Sequence, residues 1–348
     1  MKNKELESCV FYFFYENELK NKKQKIHKIY KKDFFIQNEL TNQQKLFNIN
    51  SNTIKIKQHF YIYENTSELK IAEFIEDDKN IKRNYSKKDD TILLEFEDRK
   101  LIYFKNYLKA LSCSKKYIFT IISFYKYLLE TLQILIDNNI VHNNIGFENI
   151  VIKNKHGIPL LKSLTFSIDL LNPNLDSYLR QIFITYDPTF YQWPLEFHIL
   201  SYLYTNKLES LSKTNIEFII SDVLKHHDLL HTFGESVVST FHEEALNYFS
   251  IYINQSYEYI VADILKYSRT WDNYALSLIF LRILIYIYRT CNKQNKFIIL
   301  FMKLLVSCIS LNPQKRLSIN ETTNKFNSLL DSLLPTDYIE IINNLILL

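Results

Sequence analysis

Between Tyr117 and Asn138, Ile118, Ile122, Tyr125, Leu129, Leu132 and Ile136 recur at intervals of 4, 3, 4, 3 and 4. That spacing predicts an amphipathic helix with one stripe turned to a core. It ends at Asp137-Asn138-Asn139. Two β-rich runs follow, Ile140-Val141 and Ile150-Val151-Ile152, and bracket a polar loop that holds Gly146. Asn154 to Gly157 reads as a turn and Pro159–Leu164 as another short strand. Upstream, Cys9–Tyr15, Phe60–Tyr63 and Thr91–Phe96 are short β-rich runs. Phe34–Phe47 is compatible with a helix, with apolar residues at 36, 40, 46 and 47. Beyond Glu196 almost everything reads as helix, including Thr214–His227 and Val237–Tyr252, and Thr270–Tyr288 is the most apolar helix. Tyr274–Tyr288 and Phe297–Leu311 are the best membrane candidates. Each is about fifteen residues, carries Arg282 or Lys303, and falls short of the ~20 apolar residues of a span, so both read as buried helices. No repeat of 20–50 residues is visible.

Composition narrows the function classes. The chain has 348 residues, 47% of them hydrophobic and 23% charged, enough for a sizeable core in two domains or one bilobal one. Three glycines, Gly146, Gly157 and Gly234, exclude a GxGxxG or Walker loop, and with them any glycine-rich phosphate cradle. A net charge of +4 demands neither nucleic acid nor membrane as partner. Cys9, Cys113, Cys291 and Cys308 are scattered without C-x-x-C or metal spacing, which predicts reduced thiols and an intracellular protein. Seven lysines between Lys20 and Lys32 read as a solvated loop or strand edge, with an acidic or nucleic-acid partner as the alternative. The short run Cys9–Tyr15 is a poor signal peptide and a plausible strand. Lys, Asn, Ile, Phe and Tyr are abundant, and their AT-rich codons read as genome drift.

The segment His142–Asn149 (HNNIGFEN) resembles the catalytic loop of protein kinases, H-R-D-x-x-x-x-N. Four further landmarks stand in that family's order. Pro159–Ile168 (PLLKSLTFSI) occupies the place of the D-F-G segment. Pro194-Leu195-Glu196 resembles A-P-E. Trp271–Ser277 (WDNYALS) resembles the start of the buried central helix of the larger lobe, and Asn312–Ser318 (NPQKRLS) resembles D-P-x-x-R. The wording is similar to that of serine/threonine kinases of giant DNA viruses. The resemblance implies an α+β bilobal fold, with a reduced β-rich N-lobe over residues 1–98 and a helical C-lobe over 99–348 carrying an insertion at about 205–265. It implies host cytoplasm or virion as the compartment.

The resemblance also locates what is missing. Phosphoryl transfer on this fold needs a base, two metal-holding groups and a lysine on the phosphates. The base position is Asn144, a carboxamide that can orient a hydroxyl but accepts no proton at neutral pH; loss of a general base costs on the order of 10²–10⁴ in rate. Asn143 replaces the family's arginine, and Gly146 its catalytic-loop lysine. The D-F-G aspartate falls on Ser163 in one register and on Thr165 in the other, a hydroxyl either way, and magnesium prefers carboxylate oxygens. Asp169 lies past the segment in both registers. Asn149 is kept, as a weak magnesium ligand or as a tie to loop backbone, and His142 reads as a scaffold histidine. Thr91–Phe96 would lead to a hinge at Glu97-Asp98-Arg99. Glu39 would pair with the ATP-binding lysine, for which Lys22, Lys23, Lys25 and Lys28 all remain open.

The architectural residues are present. By resemblance, Glu196 and Arg316 form a buried ion pair, and Asp272 accepts hydrogen bonds from backbone near His142. Trp193 and Trp271 are core anchors. The stretch from Glu196 to Asp272 is far longer than the family's short connection. It carries His226, His227, His231 and His242, which read as surface histidines, and it offers a candidate partner-binding surface. The resemblance thus implies a pseudokinase that binds protein partners, with no cofactor, nucleic acid or membrane. The alternative is an atypical active serine/threonine kinase using ATP and magnesium. A paralogue with only a structural role is a third reading.

Overall fold

The structure is a computed structural model that describes residues 19–20, 25–49, 53–66, 91–97, 101–111, 117–153, 157–290, 295–333 and 336. The expected strand Cys9–Tyr15, the expected hinge at 98–99 and most of the turn before Gly157 lie outside these residues. The fold is α+β and mainly helical. It divides into two compact units, Met1–Ile102 with Val151–Phe166, and Tyr103–Ile150 with Ser167–Leu348.

The first unit is built on two sheets. Strands β1 (Leu19–Lys20), β2 (Lys25–Lys31), β4 (Tyr63–Thr66) and β5 (Thr91–Glu97) form an antiparallel sheet in the order β1-β2-β5-β4. Helix α1 (Phe34–Ile49) follows β2. Asp33 starts it: its Oδ1 accepts from the Ile36 amide at 3.0 Å, satisfying one of the helix's unpaired N–H groups. Its Ile36 and Leu40 pack into the core that Ile92 and Leu94 of β5 share with Tyr61, Val151 and Leu160. Leu46 is buried further along the helix, and Asn38, Asn42 and Gln43 are buried beside these apolar positions and blur the periodicity. Helix α2 (Thr53–His59) leads into β3 (Phe60–Tyr61). The second sheet has the order β3-β9-β8-β6, with β6 Leu101–Tyr103, β8 Ile150–Lys153 and β9 Ile158–Lys162. β3 runs parallel to β9, with Phe60 opposite Leu161. The stretch 151–166, which the sequence reading gave to the C-terminal lobe, therefore belongs with the first unit, because Val151 and Leu160 complete its core.

The second unit is helical. Helix α3 (Phe104–Leu111) precedes α4 (Tyr117–Asp137), which buries Ile118, Ile121, Tyr125, Leu128, Leu132 and Leu135. The buried face is thus turned slightly from the predicted stripe, and Ile122 and Ile136 sit at its margin, half-buried. Tyr125 is its centre. Its ring meets Phe280, Phe301 and Phe326 at centroid distances of 4.9, 5.0 and 4.9 Å. Such offset and edge-on contacts are the favoured aromatic geometry, and these three join α4 to α11 (Trp271–Thr290), α12 (Lys296–Cys308) and α13 (Ile319–Asp331). α4 is the one described helix long and apolar enough to cross a bilayer, and more than half of its most apolar window is buried inside the fold. α11 and α12, the candidates by sequence, are core helices that bury Leu276, Phe280 and Phe301.

After α4 come β7 (Ile140–Val141) and, beyond the excursion through β8 and β9, β10 (Ile168–Asp169), paired antiparallel with β7. Helices α5 (Leu175–Ile182) and α6 (Leu195–Thr205) follow. The insertion then folds as α7 (Lys213–Lys225), the single turn α8 (Asp228–His231), α9 (Glu235–Phe249) and α10 (Tyr257–Leu265). Local chemistry sets their starts: Ser212 and Asn215 close a capping box on α7, and Ser256 caps α10.

Candidate functional site

The loop after β7 is held from below by α11. Asp272, in the first turn of that helix, accepts from the backbone amides of His142 at 2.6 Å and Asn143 at 2.9 Å. Burial pushes its carboxyl up to about 6, while these two amide hydrogen bonds oppose the rise. Asn143 has φ of +56°, a left-handed conformation that asparagine tolerates better than most residues. The Asn144 amide donates to His142 Nδ1 at 3.2 Å, so that nitrogen is the unprotonated one, which suits an imidazole wholly buried in the fold. Trp193 Nε1 donates to the Asn143 carbonyl at 2.6 Å and tethers the loop to the chain before α6.

Asn149 Nδ2 donates to the Asn144 carbonyl at 2.9 Å, the tie across the loop that its chemistry allows. Asn144 and Asn149 are both buried. Asn144 Nδ2 and Asn149 Oδ1 have no hydrogen-bond partner among the described residues. Asn144, where the resemblance expects a base, thus presents a buried neutral amide. At Gly146 an added Cβ would lie 3.2 Å from Glu148 Oε2, the far end of a flexible side chain. Sterics thus leave a larger side chain possible there.

Glu196 and Arg316 form a fully buried bidentate pair, with Nη1 to Oε1 at 2.8 Å and Nη2 to Oε2 at 3.1 Å. The remaining guanidinium hydrogens go to the Ser310 carbonyl and the Thr270 hydroxyl, and the group lies 5.0 Å from the Tyr274 ring centroid. Every direction in which this cation could want a partner is thereby filled, as a buried charge requires.

The D-F-G-like segment lies in the first unit and packs on α1. Ser163 is left-handed, with φ of +65°, and Leu164 beside it is buried. The Thr165 hydroxyl donates to Glu39 Oε2 at 2.7 Å, which leaves Ser163 Oγ, 2.8 Å away, to donate to Thr165 Oγ1. Asn38 Nδ2 donates to the Thr165 carbonyl at 2.9 Å, and the Phe35 and Phe166 rings meet at 5.1 Å. A carboxylate at position 165 would stand within hydrogen-bond distance of the Glu39 carboxylate, two like charges in one site. The hydroxyl relay avoids that. It was invisible in the sequence, because it joins positions 126 residues apart. Asp169 is elsewhere, in β10, where its Oδ1 accepts from the Leu171 amide at 2.9 Å.

Of the four lysines left open by sequence, Lys22 and Lys23 lie outside the described residues. In β2 the register sets Lys25 opposite Glu97 and Lys28 opposite Leu94.

The insertion histidines are not all at the surface. His227 is buried, and burial pushes its imidazole down to about 4. It caps α8, accepting from the Leu230 amide, and its ring lies 5.1 Å from that of Tyr191. His198, in α6, is also fully buried and is pushed down to about 3 by burial. Among the described residues no group of three or more His, Cys, Asp or Glu side chains could hold a metal ion. No known protein-family profile matches the chain. No curated protein matches it either.

Proposed function

We propose that this chain is a protein-kinase-like pseudokinase, bilobal in plan, that works inside the cell by binding protein partners and does not transfer phosphate. One observation carries the reading. Where the family places two carboxylates, this chain has the buried amide of Asn144 and a hydroxyl, and the hydroxyl of Thr165 is engaged by Glu39. Asp272, which holds the loop amides, and the buried Glu196–Arg316 pair both have their hydrogen bonds made. Scaffold without chemistry is what a binding module retains. In either register the resemblance puts a hydroxyl, Ser163 or Thr165, at the position of the family's metal-holding aspartate, and magnesium prefers carboxylate oxygen.

The alternative of an atypical active kinase draws support from Asn149, whose buried Oδ1 has no partner among the described residues. Thermal denaturation with ATP titrated to millimolar, with and without magnesium, separates the two. A ligand at 100 times its dissociation constant, bound only to the folded state, adds about 2.7 kcal/mol. The pseudokinase reading expects no magnesium-dependent shift. A magnesium-dependent shift, followed by magnesium-dependent transfer of labelled phosphate from ATP that Asn149→Ala abolishes, would overturn it in favour of the active kinase.

A further inference from the structure

The chain between β10 and α6 is fastened along its length by β10, α6 and α11, and at three places, Asp176–Arg180, Tyr186 and Tyr191, by the insertion. At its start, the Tyr178 hydroxyl of α5 donates to the Ser167 carbonyl at 2.7 Å and accepts from the Asp169 amide at 3.2 Å. One turn of sequence away, the Asp176 carboxylate accepts a short hydrogen bond from the Tyr257 hydroxyl of α10. The Arg180 guanidinium, paired with Asp176 at 2.9 Å, lies 5.1 Å from the Tyr257 ring centroid and 5.5 Å from that of Tyr204. After α5, Phe183 stacks on Tyr204 at 5.6 Å, and the Thr205 hydroxyl donates to the Ile184 carbonyl at 3.2 Å. The Tyr186 hydroxyl then donates to Asp222 Oδ2 of α7 at 3.2 Å. Last, Tyr191 packs on His227, and its hydroxyl accepts a short hydrogen bond from Arg282, whose Nη2 lies 3.5 Å from Asp228 of α8.

We infer that the insertion is a built-in clasp. Through Tyr257, Asp222 and the His227-Asp228 turn, it holds the segment 175–193 in one arrangement with no modification of that segment. Residues 183–193, which follow α5 and have no helix or strand of their own, would otherwise sample many conformations, since they have little regular hydrogen bonding to hold them. Here the missing constraints come from side chains of three later helices. The segment ends at Trp193, which donates to the Asn143 carbonyl, so the clasp also fixes one anchor of the loop 142–149. The insertion helices are well seated for this role. α7 buries Ile216, Ile219, Ile220 and Val223, so Asp222 projects from a packed helix and not from a loose loop. The inference concerns this chain's own geometry and stands whether or not nucleotide binds.

Amide hydrogen exchange on the full chain tests it, using Tyr257→Phe and Asp222→Ala, each of which leaves the ring or helix packing in place. The clasp expects exchange over 183–192 to accelerate about fivefold or more in the double variant while α4 and α11 stay within about twofold, because release is local. Unchanged exchange over 183–192 would overturn it, and so would equal acceleration in α11, which would mean general loosening. A cycle of Tyr186→Phe with Asp222→Ala adds a second readout. The clasp expects the second substitution to have little effect once the first is made; strictly additive effects would overturn it.

Discussion

At the scale of single residues, charge and burial decide most outcomes. Arg316 and Glu196 are both removed from water, so each is tolerated only through the other. Arg316→Ala should cost about 3–5 kcal/mol in the denaturation midpoint, since it strands a buried carboxylate, whereas removing both charges together with apolar replacements should cost much less. The buried histidines give a second expectation. Once unfolded, His198 and His227 would titrate near the ordinary value of about 6.5; folded, burial holds them at about 3 and about 4. Below pH 6.5 the unfolded chain therefore takes up protons that the folded chain excludes. Stability should fall as pH drops from about 6.5 towards 4, with His227 alone contributing on the order of 3 kcal/mol. Circular dichroism melts across that range check it, and His227→Gln should flatten the slope. Asn144→Asp makes the complementary point: under the proposed reading, placing a carboxylate at this one position should yield no measurable phosphate transfer in a radiolabel assay, because the hydroxyls at 163 and 165 are unchanged.

Elements follow from local chemistry where the pattern is strong. The helix Tyr117–Asp137 was legible because its apolar residues keep a 3–4 spacing over five turns. α1 was only half legible, since its periodicity is weak and its start depends on Asp33. The anchors of the site, Asp272, Glu196 and Arg316, were named through the order of motifs and not through periodicity. The Glu39–Thr165 relay was not legible at all, and neither was the burial of His227, because each depends on which distant elements meet. At this scale Asp272 has the largest expected effect. Asp272→Asn keeps one acceptor but turns an NH₂ group towards a backbone amide. Exchange at His142 and Asn143 should rise by about tenfold or more, with little change in α12, by the same logic of local opening.

For the whole molecule, the division into two units cuts across chain order. Residues 1–102 contain five of the eight described strands of the first unit's two sheets and most of β6, but lack β8, β9 and with them Val151 and Leu160 of its core. A fragment ending at 102 should therefore fail to give cooperative melting or dispersed amide resonances. Supplying 151–166 through a short linker should restore both, by filling the core position that the fragment leaves open.

The order β3-β9-β8-β6 has a consequence for how the chain is made. The outer strands of that sheet, β3 and β6, are synthesised first, and the two that belong between them emerge only after α4 and the loop 142–149. During translation, then, the early product carries two strands with no neighbour for their inner edges. Exposed edges invite pairing with other chains. The ribosome must extend the chain past Lys162 before those edges close. A slow codon stretch between β6 and β8 would prolong the vulnerable interval, and a rapid one would shorten it.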